Sequence, residues 1–376
     1  MAPQPGRILT VNAGSSSLKL RVLDTEDRVI CSRDSGAVED EAALRDELAV
    51  TLNEGEPIEA AGHRVVHGGP DFTGPTVLDP SVENKLDRLA DLAPLHNPPA
   101  IAAMRALDAL RPGLPTVACF DTAFHAQMPA AASTYAIPAA WAERWPLRRY
   151  GFHGLSHAYA SRRAAELLHR PLEELRIVTA HLGAGASLCA VKGGVSVNTT
   201  MGFTPLEGLV MATRSGTVDP GLLLWVQRHG GITSEEMEQA LDRESGLLAL
   251  SRRSGDMREV IAGVEQGDES CQLAFAVYIH RLAAGLATMA AAMGGLDAVV
   301  FTGGVGEGSA QVREAAASAT SFLGVAIDGN RSRGATADTV LSPAGARVAS
   351  VLVAAREDLE IASQVRDTVL LPGHRR

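Results

Sequence analysis

The chain has 376 residues, 46% of them hydrophobic, and a formal net charge of −10. This length and composition predict two domains, or one large one, with substantial cores, and the acidic balance argues against broad nucleic-acid binding. Residues 1–7 lack an apolar signal core, and no apolar run is expected to reach the length of a membrane span. Four cysteines without a Cys-x-x-Cys pair indicate free thiols, so we expect a cytoplasmic protein that does not bind a membrane.

The first part of the chain predicts short strands separated by helices. Hydrophobic periodicity predicts strands at residues 8–12, 18–23, 29–31, 62–66 and 116–120, and helices near residues 40–52, 81–92 and 98–110. The first three strands form a meander, with a glycine- and serine-rich turn between the first two. Prolines at 129, 138 and 146 then predict a passage between domains over residues 121–150.

After this passage the same pattern repeats. Strands are predicted at residues 176–182, 186–192 and 194–198, a long helix at 269–293, a strand at 298–302, a helix near 309–323, a strand at 347–353 and a terminal helix near 357–369. The repeat predicts twin α/β domains that face each other across a cleft, with ligands bound outside the carboxyl ends of strands. We place the domains at residues 1–122 and 123–357, and we expect a terminal helix, about 358–376, to pack back on the first.

Three apolar strands run directly into glycine-rich turns, which are residues 12–17, 181–187 and 303–309. Because glycine lets the backbone approach a ligand and exposes its N–H groups, three such turns predict phosphates held from two sides. The turns do not fit the commoner nucleotide motifs. The chain has no Gly-Lys-Ser/Thr of a Walker loop, and Ser309 stands where a dinucleotide loop needs its third glycine.

Six segments together resemble one known family, the acetate and butyrate kinases of the acetate and sugar kinase–Hsp70–actin superfamily. The segments are residues 12–19, 120–125, 150–157, 201–208, 213–216 and 301–307, and the resemblance runs from about residue 8 to residue 362. It implies an α/β fold of two duplicated actin-like, ribonuclease H-like domains with a cleft between them. It also implies an acetate kinase activity, direct in-line phosphoryl transfer from ATP to acetate that gives acetyl phosphate and ADP, in a homodimer.

A kinase that acts on a carboxylate needs no general base, because its nucleophile is already ionised at pH 7. It needs charge neutralisation, alignment and a metal. The resemblance implies that Arg64 and Arg214 hold the carboxylate and the transferred phosphoryl group, which suits the bidentate geometry of a guanidinium. Position alone leaves each arginine equally open to an ordinary surface role. The resemblance makes His153 a hydrogen-bond donor to the phosphoryl oxygens in the transition state.

Asp121 follows a buried strand, and from position alone it suits either a general base or a magnesium ligand. Because acetate has no proton to give up, the metal is favoured. The resemblance implies that Glu357 is a second magnesium carboxylate and that Asn12 helps to place the metal-bound phosphates. For Glu357 the alternative is an ordinary acid at a helix N-terminus. We therefore expect Mg²⁺, with Mn²⁺ as the alternative metal.

The remaining predicted contacts rest on the resemblance. Those to the nucleotide and its phosphates are Asn12, Ser15, Ser17, Lys19, His181, Gly183, Gly185, Asp256, Arg258, Gly304, Val305 and Gly306. Those to the acid are Arg64, Val66, Leu95, His96, Phe152 and Pro205. The chain departs from the family pattern at Ala184, Gly308 and Arg356, which leaves the phosphoryl donor less firmly predicted than the acceptor.

Several alternative functions stay open at this point. One alternative keeps the fold and changes the acid to propionate or butyrate, since one methylene in an apolar pocket changes binding by only about 1–3 kcal/mol. Another keeps the acid and uses pyrophosphate as the phosphoryl donor. A nucleotide-dependent conformational ATPase like the Hsp70 and actin relatives is a different class. It predicts slow ATP hydrolysis without dependence on an acid.

Overall fold

The computed structural model describes residues 6–14, 17–36, 40–54, 57–89, 97–336 and 338–370. The chain divides into two compact units. Unit 1 contains the described residues within Met1–Ala126, Phe152–Tyr159 and Arg356–Arg376, and unit 2 those within Gln127–Gly151 and Ala160–Ala355. The predicted domains, 1–122 with a returning terminal helix and 123–357, stay a prediction.

Both units combine strands with helices. The strands are β1 (Ile8–Ala13), β2 (Ser17–Leu23), β3 (Val29–Gly36), β4 (Ala60–Val65), β5 (Thr76–Val77), β6 (Thr116–Phe120), β7 (Arg176–Leu182), β8 (Ala186–Lys192), β9 (Val195–Thr199), β10 (Ala298–Thr302), β11 (Thr339–Val340) and β12 (Ala349–Leu352). The helices are α1 (Glu41–Asn53), α2 (Pro80–Arg88), α3 (Asn97–Leu110), α4 (Ala130–Ser133), α5 (Ala139–Arg144), α6 (Gly154–Leu167), α7 (Pro220–Gly230), α8 (Ser234–Arg243), α9 (Gly246–Ser251), α10 (Met257–Glu265), α11 (Glu269–Met293), α12 (Gly303–Gly308), α13 (Ala310–Ala319), α14 (Gly329–Gly334) and α15 (Glu357–Val365). Short 3₁₀ helices cover Ala123–His125, Leu172–Glu174 and Ser321–Leu323, and a π-helix covers Arg366–Leu370.

The two units contain the same sheet. In unit 1 the strand order is β3-β2-β1-β4-β6-β5, and in unit 2 it is β9-β8-β7-β10-β12-β11. In each sheet the three central strands, β1-β4-β6 or β7-β10-β12, are parallel, and the three outer strands are antiparallel to their neighbours. The predicted α/β class and its internal duplication are therefore confirmed.

The sheet of unit 1 is covered by helices on both faces. On one face, β1 and β2 bury leucine and valine side chains with residues of α1 and α3. On the other face, Ile361 and Val365 of α15 pack with Ile8 and Val117. A Cβ atom at Gly62 in β4 would lie 2.4 Å from Cγ2 of Ile361, so glycine is needed for this close approach. This packing fixes the N-terminus of α15, where Glu357 lies.

Helix α11 is the long helix that the sequence predicts. The Asp268 side chain caps its N-terminus, and Gly294 ends it with a left-handed φ of 70°. By length and composition alone α11 could cross a membrane, which differs from the sequence-based expectation. However, one side of the helix packs against β7, β8 and β9, and its buried residues recur at helical spacing from Cys271 to Met293. This is the arrangement of a core helix.

Several predicted elements have other bounds in the structure, and three of the differences have a visible cause. Strand β3 continues to Gly36 instead of ending at residue 31, because its pairing with β2 extends to the pair of Gly36 and Ser17. Helix α2 ends at Arg88, and the Leu89 N–H bonds to the carbonyls of Lys85 and Leu86. Residues 90–92 of the predicted helix lie outside the described residues. The third glycine turn is instead the short helix α12, because the Glu307 side chain accepts a hydrogen bond from the Gly303 N–H at its start.

Candidate active site

The central strands of unit 1 end in polar side chains. Asn12 is the penultimate residue of β1, Arg64 is the penultimate residue of β4, and Asp121 follows β6 directly. Nη2 of Arg64 donates to Oδ2 of Asp121 at 2.7 Å, and Nε donates to Oδ1 at 3.1 Å. The Asp121 side chain is only 1% exposed and that of Arg64 17% exposed. A buried, two-pronged ion pair therefore lies at the carboxyl edge of this sheet.

Glu357 belongs to the same charged cluster. Burial alone would lower the pKa of Arg64, but the charge and hydrogen bonds of Asp121, together with the charge of Glu357, raise it above its ordinary value. Arg64 is therefore a permanent cation with two carboxylates near it. The structure thus brings together three predicted residues that lie far apart in the sequence.

The donors at this edge suit a magnesium ion in type. Mg²⁺ takes one or two carboxylates and keeps several waters or phosphate oxygens, and Asp121, Glu357 and the amide oxygen of Asn12 are donors of that kind. Over the ranges that the structure describes, no group of three or more His, Cys, Asp or Glu side chains forms a closed metal cage. Because both oxygens of Asp121 accept hydrogen bonds from Arg64, a metal here would share this carboxylate with the guanidinium.

His153 is held next to Asp121 by the backbone. It has a φ of 57°, a left-handed conformation that is uncommon for a residue other than glycine. The next residue, Gly154, donates its N–H to the Asp121 carbonyl at 3.0 Å and begins α6. A Cβ atom at Gly154 would lie 2.0 Å from that carbonyl oxygen, so no larger residue fits. Backbone of this kind is concentrated at functional sites, because the surroundings must maintain it.

The predicted acid-binding residues are divided between the units. Phe152 is buried in unit 1, where its ring contacts His67 at 5.3 Å between centroids and its carbonyl lies 3.0 Å from Nε2 of His125. Val66 follows β4 in the same unit and is half-buried. Pro205 is half-buried in unit 2. Three predicted residues, Ser15, Leu95 and His96, lie outside the described residues.

Unit 2 contains a cavity of about 820 Å³, within the size range of small-molecule sites. It is lined by Gly183, Ala184, Ala212, Gly255, Asp256, Met257, Arg258, Ile261, Gly304, Val305, Gly308, Ser309 and Gln311. The lining includes five predicted nucleotide contacts, Gly183, Asp256, Arg258, Gly304 and Val305. Of the other predicted contacts that the structure describes, His181, Gly185 and Gly306 lie in unit 2 outside this lining, and Ser17 and the exposed Lys19 lie on β2 of unit 1.

Helix α12, which forms part of the cavity wall, is fixed from both ends. Gly303 has a φ of 78°, and a Cβ atom there would lie 2.8 Å from the Leu182 carbonyl. Oε1 of Glu307 accepts from the N–H groups of Gly303 at 3.0 Å and Ala355 at 2.9 Å. Nη1 of the buried Arg313 donates to the Gly306 and Glu307 carbonyls at 2.8 and 2.7 Å. The backbone at this wall is therefore held independently of any ligand.

Arg214 lies in a loop of unit 2, where its Nε donates to Oδ1 of Asp242 at 2.7 Å. Asp242 was not among the residues predicted from the sequence, and neither were Glu307 and Arg313, which hold α12. One signal was available for Asp242, because a carboxylate in the last turn of a helix is unfavourable against the helix dipole and so calls for a cationic partner. No comparable signal marks Glu307 or Arg313.

The three departures from the family pattern also have places in the structure. Ala184 and Gly308 line the cavity of unit 2, where they contribute no polar side chain. Arg356 belongs to unit 1, and its guanidinium binds Asp358 through Nη2 at 2.9 Å, next to Glu357. The cavity wall at Ala184 and Gly308 therefore consists of small residues.

Comparison with known proteins gives consistent results. The profile of the Acetokinase family matches residues 31–363. An acetate kinase from Synechococcus is 49% identical over 86% of this chain and 79% of its own length. The crystal structure of Porphyromonas gingivalis acetate kinase superposes with a TM-score of 0.89 at 34% identity, covering 96% of this chain and 99% of that one. A propionate kinase from Francisella tularensis also gives a TM-score of 0.89 at 34% identity, with 97% and 100% coverage.

Proposed function

The chain belongs to the acetokinase family, and we propose that it catalyses reversible phosphoryl transfer from ATP to acetate, which gives acetyl phosphate and ADP. It is a phosphotransferase with a carboxyl group as acceptor. The observation that carries the proposal is the Arg64 guanidinium, which pairs with the buried Asp121 at the carboxyl ends of the central strands of a sheet. A fixed cation of this kind suits an acceptor that is itself an anion.

The proposed chemistry needs no general base, because acetate is ionised at neutral pH. Arg64 and Arg214 would neutralise the charges of acetate and of the phosphoryl group, which otherwise repel each other. The ring of His153 would donate a hydrogen bond to the phosphoryl oxygens as the bond to ADP lengthens. The contacts predicted for the methyl group, from Val66, Leu95, Phe152 and Pro205, stay predictions. Transfer is then direct and in line, and positioning and charge stabilisation supply the rate.

Magnesium belongs to the proposal as the partner of the nucleotide phosphates. Asp121, Glu357 and Asn12 would hold it, directly or through water, and Mn²⁺ accepts the same oxygen donors. When bound, the metal supplies positive charge that neutralises the transferred phosphate. Support comes from the charge of Glu357, which acts on Arg64, and from the placement of Asn12 and Asp121 at the ends of β1 and β6, on either side of β4.

The nucleotide would occupy the cavity of unit 2. Its volume, about 820 Å³, is sufficient for a nucleoside diphosphate. The glycine residues of its wall would let the phosphates approach the backbone closely, while Met257 and Ile261 offer an apolar surface to a base. Contacts from Ser17, Lys19, His181, Gly185 and Gly306 stay predictions.

We further propose a cytoplasmic homodimer that binds neither membranes nor nucleic acid. All four cysteines are free, which suits a reducing compartment. The net charge of −10 is unfavourable for phosphate backbones. On α7, Leu222, Leu224 and Trp225 are 50%, 53% and 58% exposed, and apolar side chains of this kind favour association. Sedimentation velocity across a concentration series would test the dimer.

The activity is tested by mixing the protein with Mg-ATP, hydroxylamine and one acid at a time. Acetyl hydroxamate should form with acetate, and more slowly with propionate. Inorganic pyrophosphate in place of ATP tests the donor. Equal rates of ATP hydrolysis with and without acid, and no hydroxamate, would overturn the proposal in favour of a conformational ATPase.

A further inference from the structure

The loop that carries Arg214 is attached to the end of helix α8 by four hydrogen bonds. Three involve the backbone of α8 or of Ser245 just after it: Oγ1 of Thr213 donates to the Asp242 carbonyl at 2.9 Å, the Ser215 N–H to the Leu241 carbonyl at 3.0 Å, and the Ser245 N–H to the Thr213 carbonyl at 2.9 Å. The fourth joins the Nε of Arg214 to Oδ1 of Asp242 at 2.7 Å. The backbone bonds place the loop, and the side-chain bond places the guanidinium.

The chain is also packed closely on the other side of this loop. Gly246, at the start of α9, has a φ of 64°, and a Cβ atom there would lie 2.8 Å from the Arg214 carbonyl. The Met211 N–H bonds to the same carbonyl at 3.2 Å. The backbone of Arg214 therefore has little freedom to move, and its long side chain is the remaining source of disorder.

The geometry of the ion pair leaves part of the guanidinium available. Across the residues that the structure describes, the side chain of Arg214 makes its hydrogen bond through Nε, and its two Nη groups stay open to a ligand. The planar fork formed by the two Nη groups is the part that can bind a carboxylate or phosphoryl group bidentately. The two side chains are 20% and 23% exposed, so the pair is partly shielded from water.

We propose that Asp242 is a positioning residue that orients Arg214 for the reaction. It accepts the Nε hydrogen bond and thereby keeps the fork of Nη groups directed for the acid substrate or the transferred phosphoryl group. Asp242 touches neither substrate itself. The inference rests on the proposed role of Arg214, and it adds a residue that lies 28 positions away in the sequence and in a different element.

Two substitutions at Asp242 separate positioning from folding. Asp242→Ala removes the acceptor but keeps the three backbone bonds of the loop. Asp242→Asn keeps an oxygen acceptor of the same length and removes the charge. A matched control is Asp297→Ala. Asp297 is a carboxylate of unit 2 that accepts a hydrogen bond from the Nε of Arg176, and its side chain is 18% exposed. It lies at the amino ends of β7 and β10, away from the cavity. Each variant is assayed for kcat, for KM of acetate and of Mg-ATP, and for thermal unfolding.

For Asp242→Ala we expect kcat/KM for acetate to fall about 10- to 100-fold, as for other small misplacements of a catalytic group. The KM for Mg-ATP should not change, and Asp242→Asn should restore most of the loss. Asp297→Ala should lower the unfolding temperature without changing kcat/KM. Wild-type acetate kinetics in Asp242→Ala, or an equal loss in Asp242→Asn, would overturn the inference.

Arg214→Ala distinguishes failure of this inference from failure of the proposed function. If Arg214→Ala is inactive while Asp242→Ala behaves as wild type, Arg214 keeps its role and Asp242 is structural. If Arg214→Ala has wild-type kinetics, the role proposed for Arg214 is itself wrong, and the inference about Asp242 is overturned with it.

Discussion

The two units share one sheet topology, but the carboxyl ends of their central strands carry different chemistry. In unit 1 the ends of β1, β4 and β6 carry Asn12, Arg64 and Asp121. In unit 2, β7 and β10 end instead at glycine-rich backbone that lines a cavity. One copy of the fold thus presents charged side chains at these ends, whereas the other presents His181 at the end of β7 and small, glycine-rich residues along the cavity.

This difference shows what the duplicated fold supplies and what it leaves open. The parallel strands bring distant residues to one edge in both units, which is a property of the topology. Whether that edge binds through charge or through backbone is decided by a few residues. Near the end of β4 lies Arg64, which is paired with the buried Asp121. Directly after β10 lies Gly303, whose φ of 78° disfavours any residue with a side chain.

The largest loss of activity is expected when the charge of Arg64 in unit 1 is removed. Arg64→Ala should lower hydroxamate formation about 100- to 1,000-fold, because a preorganised cation is lost. It also leaves Asp121 buried and unpaired, which should destabilise unit 1 by about 3–5 kcal/mol. Enzyme assay and urea unfolding measure the two effects separately.

The double variant Arg64→Ala/Asp121→Asn is the informative companion of this substitution. It removes the unpaired charge, so stability should partly return while activity does not. Arg105→Ala is the matched control, because Arg105 forms an exposed ion pair with Asp87 and should change neither quantity. Full activity in Arg64→Ala would show that the charged edge of unit 1 is not the site of transfer.

A smaller effect is expected where unit 2 depends on backbone conformation. Gly303→Ala puts a Cβ atom 2.8 Å from the Leu182 carbonyl at a φ of 78°, and it should cost about 1–3 kcal/mol. Because α12 forms part of the cavity wall, Mg-ADP should bind more weakly by calorimetry. Gly334→Ala is the control, since a Cβ atom there would meet no described heavy atom within 4 Å. Unchanged binding and stability in Gly303→Ala would remove the argument for a backbone-built wall.

The units should also differ in their response to acid. Burial lowers the pKa of His63 in β4 to about 3 and that of His125 to about 4, from an ordinary value of 6.5. Both histidines belong to unit 1. Above pH 6.5 they are neutral in both the folded and the unfolded chain. Below pH 6.5 only the unfolded chain takes up these protons. The free energy of unfolding of unit 1 should therefore fall by about 1.4 kcal/mol per pH unit for each histidine, until the pH reaches the pKa of that histidine in the folded protein.

The tryptophans allow this difference to be measured. Trp141, Trp145 and Trp225 all lie in unit 2, so their fluorescence follows that unit, whereas circular dichroism follows both. Between about pH 7.5 and about pH 5, the urea midpoint by dichroism should fall more than the midpoint by fluorescence, and His63→Leu should reduce the difference. Equal shifts by both probes would contradict the assignment of the acid-sensitive step to unit 1.

The sequence predicted well what depends on local pattern. The predicted bounds of β6, β7, β8 and β10 and of the long helix α11 agree with the structure, because continuous runs rich in apolar residues specify them. It predicted less well what depends on distant partners. The pairing of Arg214 with Asp242 and the contact of Glu307 with Ala355 join residues far apart, and no periodicity marks such a pair. Residues 303–308 form a helix whose first N–H group binds the Glu307 side chain, and composition does not indicate this contact.

The smallest effect is expected at Asp256, which together with Arg258 supplies the charged side chains of the cavity wall in unit 2. Its Oδ1 accepts from the Arg258 N–H at 2.9 Å and caps α10, while the exposed Arg258 guanidinium lowers the pKa of the carboxyl group. If this wall depends on backbone and caps, Asp256→Asn should bind Mg-ADP as wild type, and Asp256→Ala should lose about 1 kcal/mol of stability and bind slightly more weakly. A loss in Asp256→Asn as large as in Asp256→Ala would mean that the carboxylate charge matters. Unit 2 would then use charge as unit 1 does, and the contrast between the two sheet edges would be one of degree.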